Sequence, residues 1–197
     1  YPSVKVIDLS RNFGKEAALT AGIAHATGNA VVPMDGDLQH PPEIIPELVA
    51  KWRTGFEMVS AIRRSRADQS AASRLFAKTF YWLFKRLAKI ELPEGAGDFR
   101  LLDRKIVDVI NQMPERCRFM KGIFAWPGFV TESVPFQANT RAGGQTTWSL
   151  WGLWKFALDG LFSFSTVPLK MWTYIGGLSA VAGFLYLIIT LIQKLVF

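Results

Sequence analysis

Cysteine, histidine and acidic residues are all scarce in this chain. Cys117 is the sole cysteine, so no disulfide closes within the chain, and a reducing compartment fits. The two histidines, His25 and His40, stand apart in the sequence, and a solitary histidine more often serves packing than ligation. Asp and Glu number 16 against 23 Lys and Arg, a formal net charge of +7. That imbalance points to an anionic partner: nucleic acid, anionic lipid or a phosphorylated substrate. Zinc-finger spacing and RNA-binding aromatic signatures are missing, so nucleic acid is not expected among the partners. There is no low-complexity tract and no internal repeat. No signal peptide opens the chain; it enters an apolar run almost at once, and the expectation is a piece of a longer protein lacking one or more N-terminal strands.

Charge is missing from one stretch altogether. Half of the residues are hydrophobic and a fifth are charged, but the charges lie mostly between Tyr1 and about Lys121. Met171 to Gln193 carries none. At about 1.5 Å per residue that stretch crosses a hydrocarbon core of roughly 30 Å, with Trp172 and Tyr174 at one interface. Just before it, Trp148, Trp151, Trp154, Phe156, Phe162 and Phe164 crowd a segment holding only Lys155 and Asp159 as charges. Such aromatic density suits helices at a membrane interface; a core helix is the alternative. Residues 146–170 are therefore expected at the interface and 171–193 in the bilayer. The cationic domain precedes the span, which places it on the cytoplasmic face of a bacterial inner membrane. Gly176 with Ala180, and Ser179 with Gly183, are small-residue pairs that permit a second helix to pack, as in a homo-oligomer.

Residues 1–145 read as an α/β domain. Val4 to Leu9, Ala30 to Met34 and Phe56 to Ile62 are strand-like runs. Between them lie a helix over Lys15 to Thr27 with a glycine stop at Gly28, and a helix opened by Pro41-Pro42-Glu43 and running to about Arg53. Alternating strands and helices predict a mostly parallel sheet. Further on, Asp103 is a plausible N-cap for a helix to Met113. Glu91 to Gly97 reads as a loop, and Gly128 to Val134 as an edge strand or hairpin arm. On a helix over Ser70 to Ile90, Arg74, Lys78, Lys85 and Lys89 share one sector and Phe76, Phe80, Leu83 and Leu87 oppose them. Two readings stand: a solvated charged face, or a helix lying on anionic headgroups with Tyr81 and Trp82 at the interface.

Asp35-Gly36-Asp37 sets two carboxylates around a glycine just past a strand, where open α/β sheets bind ligands. A carboxylate pair cannot hold a diphosphate directly. A divalent cation between them can, because Mg²⁺ and Mn²⁺ take oxygen from both partners.

Three ordered motifs carry a resemblance: Leu9 to Ala18 (LSRNFGKEAA), Asp35 to Glu43 (DGDLQHPPE) and Gly97 to Leu102 (GDFRLL). Together they resemble family 2 glycosyltransferases, in the dolichyl-phosphate-mannose-synthase-like branch that includes bacterial polyprenyl-phosphate (bactoprenol) glucosyltransferases. The resemblance implies a GT-A fold, a nucleotide-diphosphate sugar donor (UDP-glucose favoured), a polyprenyl phosphate acceptor in a membrane, Mg²⁺ or Mn²⁺, and inversion at the anomeric carbon. It implies that Asp35 and Asp37 hold the metal and donor diphosphate, with Asn12, Gly14 and Lys15 on the same side. Asp98 and Asp37 become the catalytic carboxylates. Arg100 becomes an acceptor-phosphate residue, as does Arg141, which with Gly144 resembles an Arg-x-x-Gly loop; apart from the resemblance, Arg63, Arg64 and Arg66 form a cationic cluster able to attract the same phosphate. Arg74, Lys78, Lys85 and Lys89 face the membrane. The family's loop usually carries a lysine where this chain has Thr147. Two alternatives remain: a processive polysaccharide synthase, whose Gln-x-x-Arg-Trp motif lacks its arginine in Gln145-Thr146-Thr147-Trp148, and a catalytically silent membrane-interaction subunit.

Overall fold

The computed structural model describes residues 3–64, 71–92, 95–115, 118–137 and 150–196. Helix α1 (Lys15–His25) starts after Gly14, whose φ of 89° lies in the left-handed region and whose N–H is held by Asn12 Oδ1 at 2.9 Å. A side chain at position 14 would be strained there. The helix stops short of the expected Thr27 because Ala26 turns extended. Arg104 then donates to the carbonyls of Ala26 and Gly28 beyond that end, at 3.0 and 2.9 Å, where a cation is favourable.

Strand β1 (Ala30–Val31) is short. A 3₁₀ turn (Pro42–Ile44) leads into α2 (Ile45–Arg53), and β2 (Met58–Arg63), α3 (Ala71–Ala88) and β3 (Ala96–Asp103) follow. Helix α4 (Arg104–Gln112) has the expected N-cap: Asp103 accepts from Lys105 N–H at 2.9 Å, the usual way to satisfy a free donor at a helix start. Next come α5 (Met120–Ala125), β4 (Thr131–Phe136), α6 (Leu150–Phe164) and α7 (Val167–Val196).

The sheet order is β1-β3-β2-β4. Strand β3 runs antiparallel to both β1 and β2, and only β2 with β4 is parallel. The described sheet is thus mixed, which corrects the expectation of a mostly parallel one. The reason lies in β3. Its opening Ala96-Gly97-Asp98 has little strand propensity, so the sequence suggested a loop where the chain makes a central strand. Phe99, Arg100, Leu101 and Leu102 are buried there in succession, as a strand covered on both faces requires. Val4 to Leu9, expected as a strand, has no ladder partner among the described residues, and Val4 and Val6 are exposed. A strand forms only where another backbone takes up its hydrogen bonds.

Helix α2 covers one face of the sheet, with Leu48 against Val59, Leu101 and Val134. Helices α1, α4 and α5 cover the other through Ile23, Ile106, Val107, Ile110, Met120 and Phe124. A third cluster joins α3 to α6 across Phe119, whose ring lies 5.6 Å from Phe84 and 5.1 Å from Phe156. Aromatic pairs at such distances contribute about 0.5–1.5 kcal/mol each beyond burial. Gly122 lets Phe164 of α6 close onto α5, since a Cβ there would collide with that ring.

Helix α6 serves two surroundings. Phe156 and Phe164 pack inward, while Trp151, Trp154 and Phe162 are exposed. Helix α7 has no buried residue and is long and apolar enough to cross a membrane. Space is open at Gly176 and Gly183, so nothing within the described chain packs against them.

Candidate active site

The beginning of α1, the turn after β1 and the start of β3 converge on one cavity of about 430 Å³. Lys15 is its electrostatic centre. Its ammonium lies 2.8 Å from Asp35 Oδ2 and 2.6 Å from Asp98 Oδ2. Burial opposes the charge on Lys15, but the hydrogen bonds it donates to Asp35 and Asp98, with their negative charge, outweigh it and hold the pKa above 10.5. Two of the three sequence motifs therefore meet the third through a single side chain.

The Asp35–Asp37 turn is built by its own side chains. Asp37 Oδ1 accepts from Gln39 N–H at 3.1 Å, and Leu38 between them takes a left-handed φ of 60°. Asp35 N–H donates to His40 Nδ1 at 3.3 Å, and the His40 ring stacks on Phe99 with centroids 4.8 Å apart. Burial lowers the His40 pKa, with Arg63 and Lys15 adding to it against the pull of Asp35 and Asp37. A neutral ring that accepts at Nδ1 follows. Arg63 donates to Gln39 Oε1 at 2.9 Å and also lines the cavity.

Glu16 and Lys121 line the cavity too, and sequence reasoning passed over both. Glu16 directly follows Lys15 in the first motif, and that adjacency was the available signal. Its Oε2 accepts from Met120 N–H at 3.2 Å, tying α1 to α5. Burial, then repulsion from Asp98, raises its pKa from 4.5 to about 6, against the Met120 hydrogen bond and the two lysines. A raised carboxyl pKa means that the native state holds the proton more tightly than the unfolded chain. The associated stability is complete below about pH 4.5 and is lost as pH rises through about 6, a span of at most about 2 kcal/mol. Glu16→Gln keeps the acceptor for Met120 and removes the charge. The gap in thermal midpoint between variant and parent should widen in the variant's favour from pH 4.5 to 6 and then level off, read by circular dichroism melts in detergent.

The other predicted residues fall in several places. Asn12 and Gly14 form the turn before α1, with Asn12 hydrogen-bonded to Gly14 N–H rather than set in the cavity lining. Arg100, expected beside the acceptor phosphate, is 2% exposed and outside that lining. It lies deeper along β3 than Asp98, stacked 4.3 Å over the Phe124 ring and donating to Gly97 O. In a strand, alternate residues face alternate ways, so Arg100 shares a face with Leu102 and Met58 against α5. Burial lowers its pKa to about 10, with Asp98 pulling the other way. Arg74, Lys78 and Lys85 are exposed on α3, near exposed Trp82, and Lys85 pairs with Glu91 at 2.6 Å. Lys89, expected in the same helical sector, is exposed but lies past the helix end at Ala88, with a left-handed φ of 57°. The inner side of the same helix gives Phe76, Ala77, Phe80 and Tyr81 to the cavity, facing Phe156 of α6. Arg141, and with it Arg66, Gly144 and Thr147, lies outside the described residues.

The cavity is therefore two-sided: ionised groups at the sheet end, aromatic rings between α3 and α6. Among the described residues no three Asp, Glu, His or Cys side chains gather as a complete metal site. Mg²⁺ commonly rests on one or two carboxylates and fills its shell with water and substrate phosphate. Asp35 fits that mode, since it lines the cavity and the ammonium already on it shows that the position draws a cation; Asp37, expected beside it, closes the adjoining turn and is outside that lining.

A sequence profile described as glycosyl transferase family 2 matches residues 1–110. The chain is 54% identical over 183 residues to a protein of Synechocystis sp. named uncharacterized glycosyltransferase sll0501, covering 93% of this chain and 58% of that protein. It is 46% identical over 185 residues to the prophage bactoprenol glucosyl transferase homolog of Escherichia coli K12, covering 94% and 60%. It is 47% identical over 199 residues to the bactoprenol glucosyl transferase of Shigella phage SfV, covering 100% and 64%. The chain thus spans about six-tenths of the length of these curated relatives.

Proposed function

The chain belongs to glycosyltransferase family 2, and on that premise we propose that the protein transfers a hexose from a nucleotide-diphosphate sugar to a polyprenyl phosphate. Glucose is the favoured sugar, following the names of two of the relatives, and UDP is the carrier that the family resemblance favours. The reaction runs at the cytoplasmic face of the inner membrane, with α7 as a transmembrane anchor and the exposed cations of α3 toward anionic headgroups. The domain division is a catalytic region over 1–145, interface helices over 146–170 and a span over 171–193.

The two-sided cavity is the observation that carries this reading. Polyprenyl phosphate is a charged head on an apolar tail. The ionised cluster suits the head, and the rings of Phe76, Phe80, Tyr81 and Phe156 suit the first units of the tail. In the reaction, an acceptor phosphate oxygen bonds to the anomeric carbon from the face opposite the diphosphate, and the carbon–diphosphate bond breaks with inversion. Asp35 and Asp37 would hold Mg²⁺ or Mn²⁺, which when bound neutralises charge on the departing diphosphate. A phosphate monoester has its second pKa near ~6, so the acceptor arrives largely as a dianion and needs little deprotonation. Asp98 then serves chiefly to position. With Arg100 buried outside the cavity, Lys15 is the cation through which Asp98 acts on an incoming phosphate.

The test is transfer of radiolabelled sugar from a panel of nucleotide sugars into undecaprenyl phosphate, with Mg²⁺ or Mn²⁺ in detergent or lipid. Transfer from one donor, stopped by chelator, is expected. No transfer from any donor by protein that remains folded and membrane-bound would move the weight to a silent membrane subunit.

A further inference from the structure

We infer that Lys15 is a positioning residue that clamps Asp35 to Asp98 and competes directly with the divalent cation for Asp35. The inference rests on the reading of Asp35 as a metal carboxylate. Its geometry is independent of the sugar and of the acceptor.

Asp35 belongs to the turn after β1 and Asp98 to the start of β3. Two carboxylates brought into one cavity repel unless a cation lies between them. The Lys15 ammonium fills that role, in contact with one oxygen of each. Its approach is built in: Asn12 and the left-handed Gly14 turn the chain so that the first residue of α1 faces the cavity. The bonded oxygen of Asp35 is one that a hard cation would use, since Mg²⁺ and Mn²⁺ bind carboxylate oxygen. An ammonium and a divalent ion cannot share that oxygen without repulsion. Lys15 would yield that Asp35 oxygen to a divalent cation held there and would keep its contact with Asp98. One side chain thereby links occupancy of the donor half to the charge offered in the acceptor half.

Lys121 supplies the control. It lines the same cavity, and no ion pair between it and Asp35 or Asp98 is formed. Removing Lys121 changes the field without touching the clamp.

The experiment is a Mn²⁺ titration of the full chain in detergent, without nucleotide or lipid, reading free Mn²⁺ by electron paramagnetic resonance. Lys15→Met should bind Mn²⁺ roughly three- to fivefold tighter than the parent, the upper end of the scale of a half-exposed ion pair released. Lys15→Gln should show the same gain and covers the case in which the methionine variant does not fold. Lys15→Arg, which keeps a cation, should stay near the parent, and Lys121→Met should change affinity by less than about twofold. No gain in the Lys15 variants, including no detectable binding in any of them, overturns the inference. An equal gain in Lys121→Met also overturns it, because a general field effect would then account for the result. Failure of sugar transfer would count against the proposed function and leave the titration standing. Normal transfer with unchanged Mn²⁺ affinity in Lys15→Met would sink the clamp alone.

Discussion

Asp37→Ala is expected to lower kcat/KM for sugar transfer by about a thousandfold or more. The reaction asks the protein to stabilise a diphosphate that gains charge as it leaves. A cation held there contributes several kcal/mol, and each 1.4 kcal/mol is a factor of about ten in rate. Asp37 has a second task, however. Its Oδ1 closes the turn through Gln39 N–H, next to the left-handed Leu38. Alanine removes charge and turn together, so Asp37→Asn is the sharper variant: an asparagine oxygen still closes such a turn but makes a poor metal ligand. Both variants should lose transfer, and the asparagine should keep the parent's melting behaviour. Asn retaining more than about a tenth of parental activity would assign Asp37 to the turn rather than to the metal. The measurement is label reaching the lipid phase at saturating Mn²⁺, beside a melt of each protein.

Asp98→Asn is expected to cost about a hundredfold, spread evenly across pH. Asp98 is 14% exposed at its side chain and holds Lys15 at 2.6 Å. Without its charge, Lys15 retains Asp35 and loses the partner that draws it toward the acceptor. Misplacing a binding group by about an ångström can cost about a hundredfold. An even loss marks a positioning role, because the acceptor is already ionised above about pH 6. A loss confined to one limb of the pH–rate profile would instead make Asp98 the base. One side effect is specific to this geometry. Asp98 repulsion is among the causes that raise the Glu16 pKa, so the acid-side stability transition assigned to Glu16 should move toward pH 4.5 in the variant.

How much of this could be read from the sequence varied by element. Helices announce themselves locally: α4 has its apolar period and its cap at Asp103, and α7 its uncharged stretch from Met171 to Gln193. Strand β3 did not, because glycine and aspartate at its start speak against a strand. Only the neighbours on both sides, β1 and β2, make it one. The direction of pairing that makes the sheet mixed is likewise a property of the partners rather than of the segment.

The site shows the same division. Asp35 and Asp37 could be named as a carboxylate pair past a strand, and Asp98 and Lys15 from the family their motifs resemble. The meeting of Asp35 and Asp98 on the Lys15 ammonium could not, because the three motifs are far apart in the chain. Glu16 and His40 were passed over as ordinary residues and acquire their shifted pKa values only through burial. Arg100 was placed by type, as a cation near a phosphate, and packing against Phe124 of α5 buried it outside the cavity.

By itself the sequence determined the family, the long apolar helix toward the C-terminal end and the inventory of charged groups, because composition, period and motif act over a few residues. Tertiary structure alone decided which of those groups share a cavity, which face the core, and that the aromatic side of α3 meets the ionised end of the sheet. Those outcomes depend on pairing and packing between distant segments, where a one-residue change in strand register reverses every side chain.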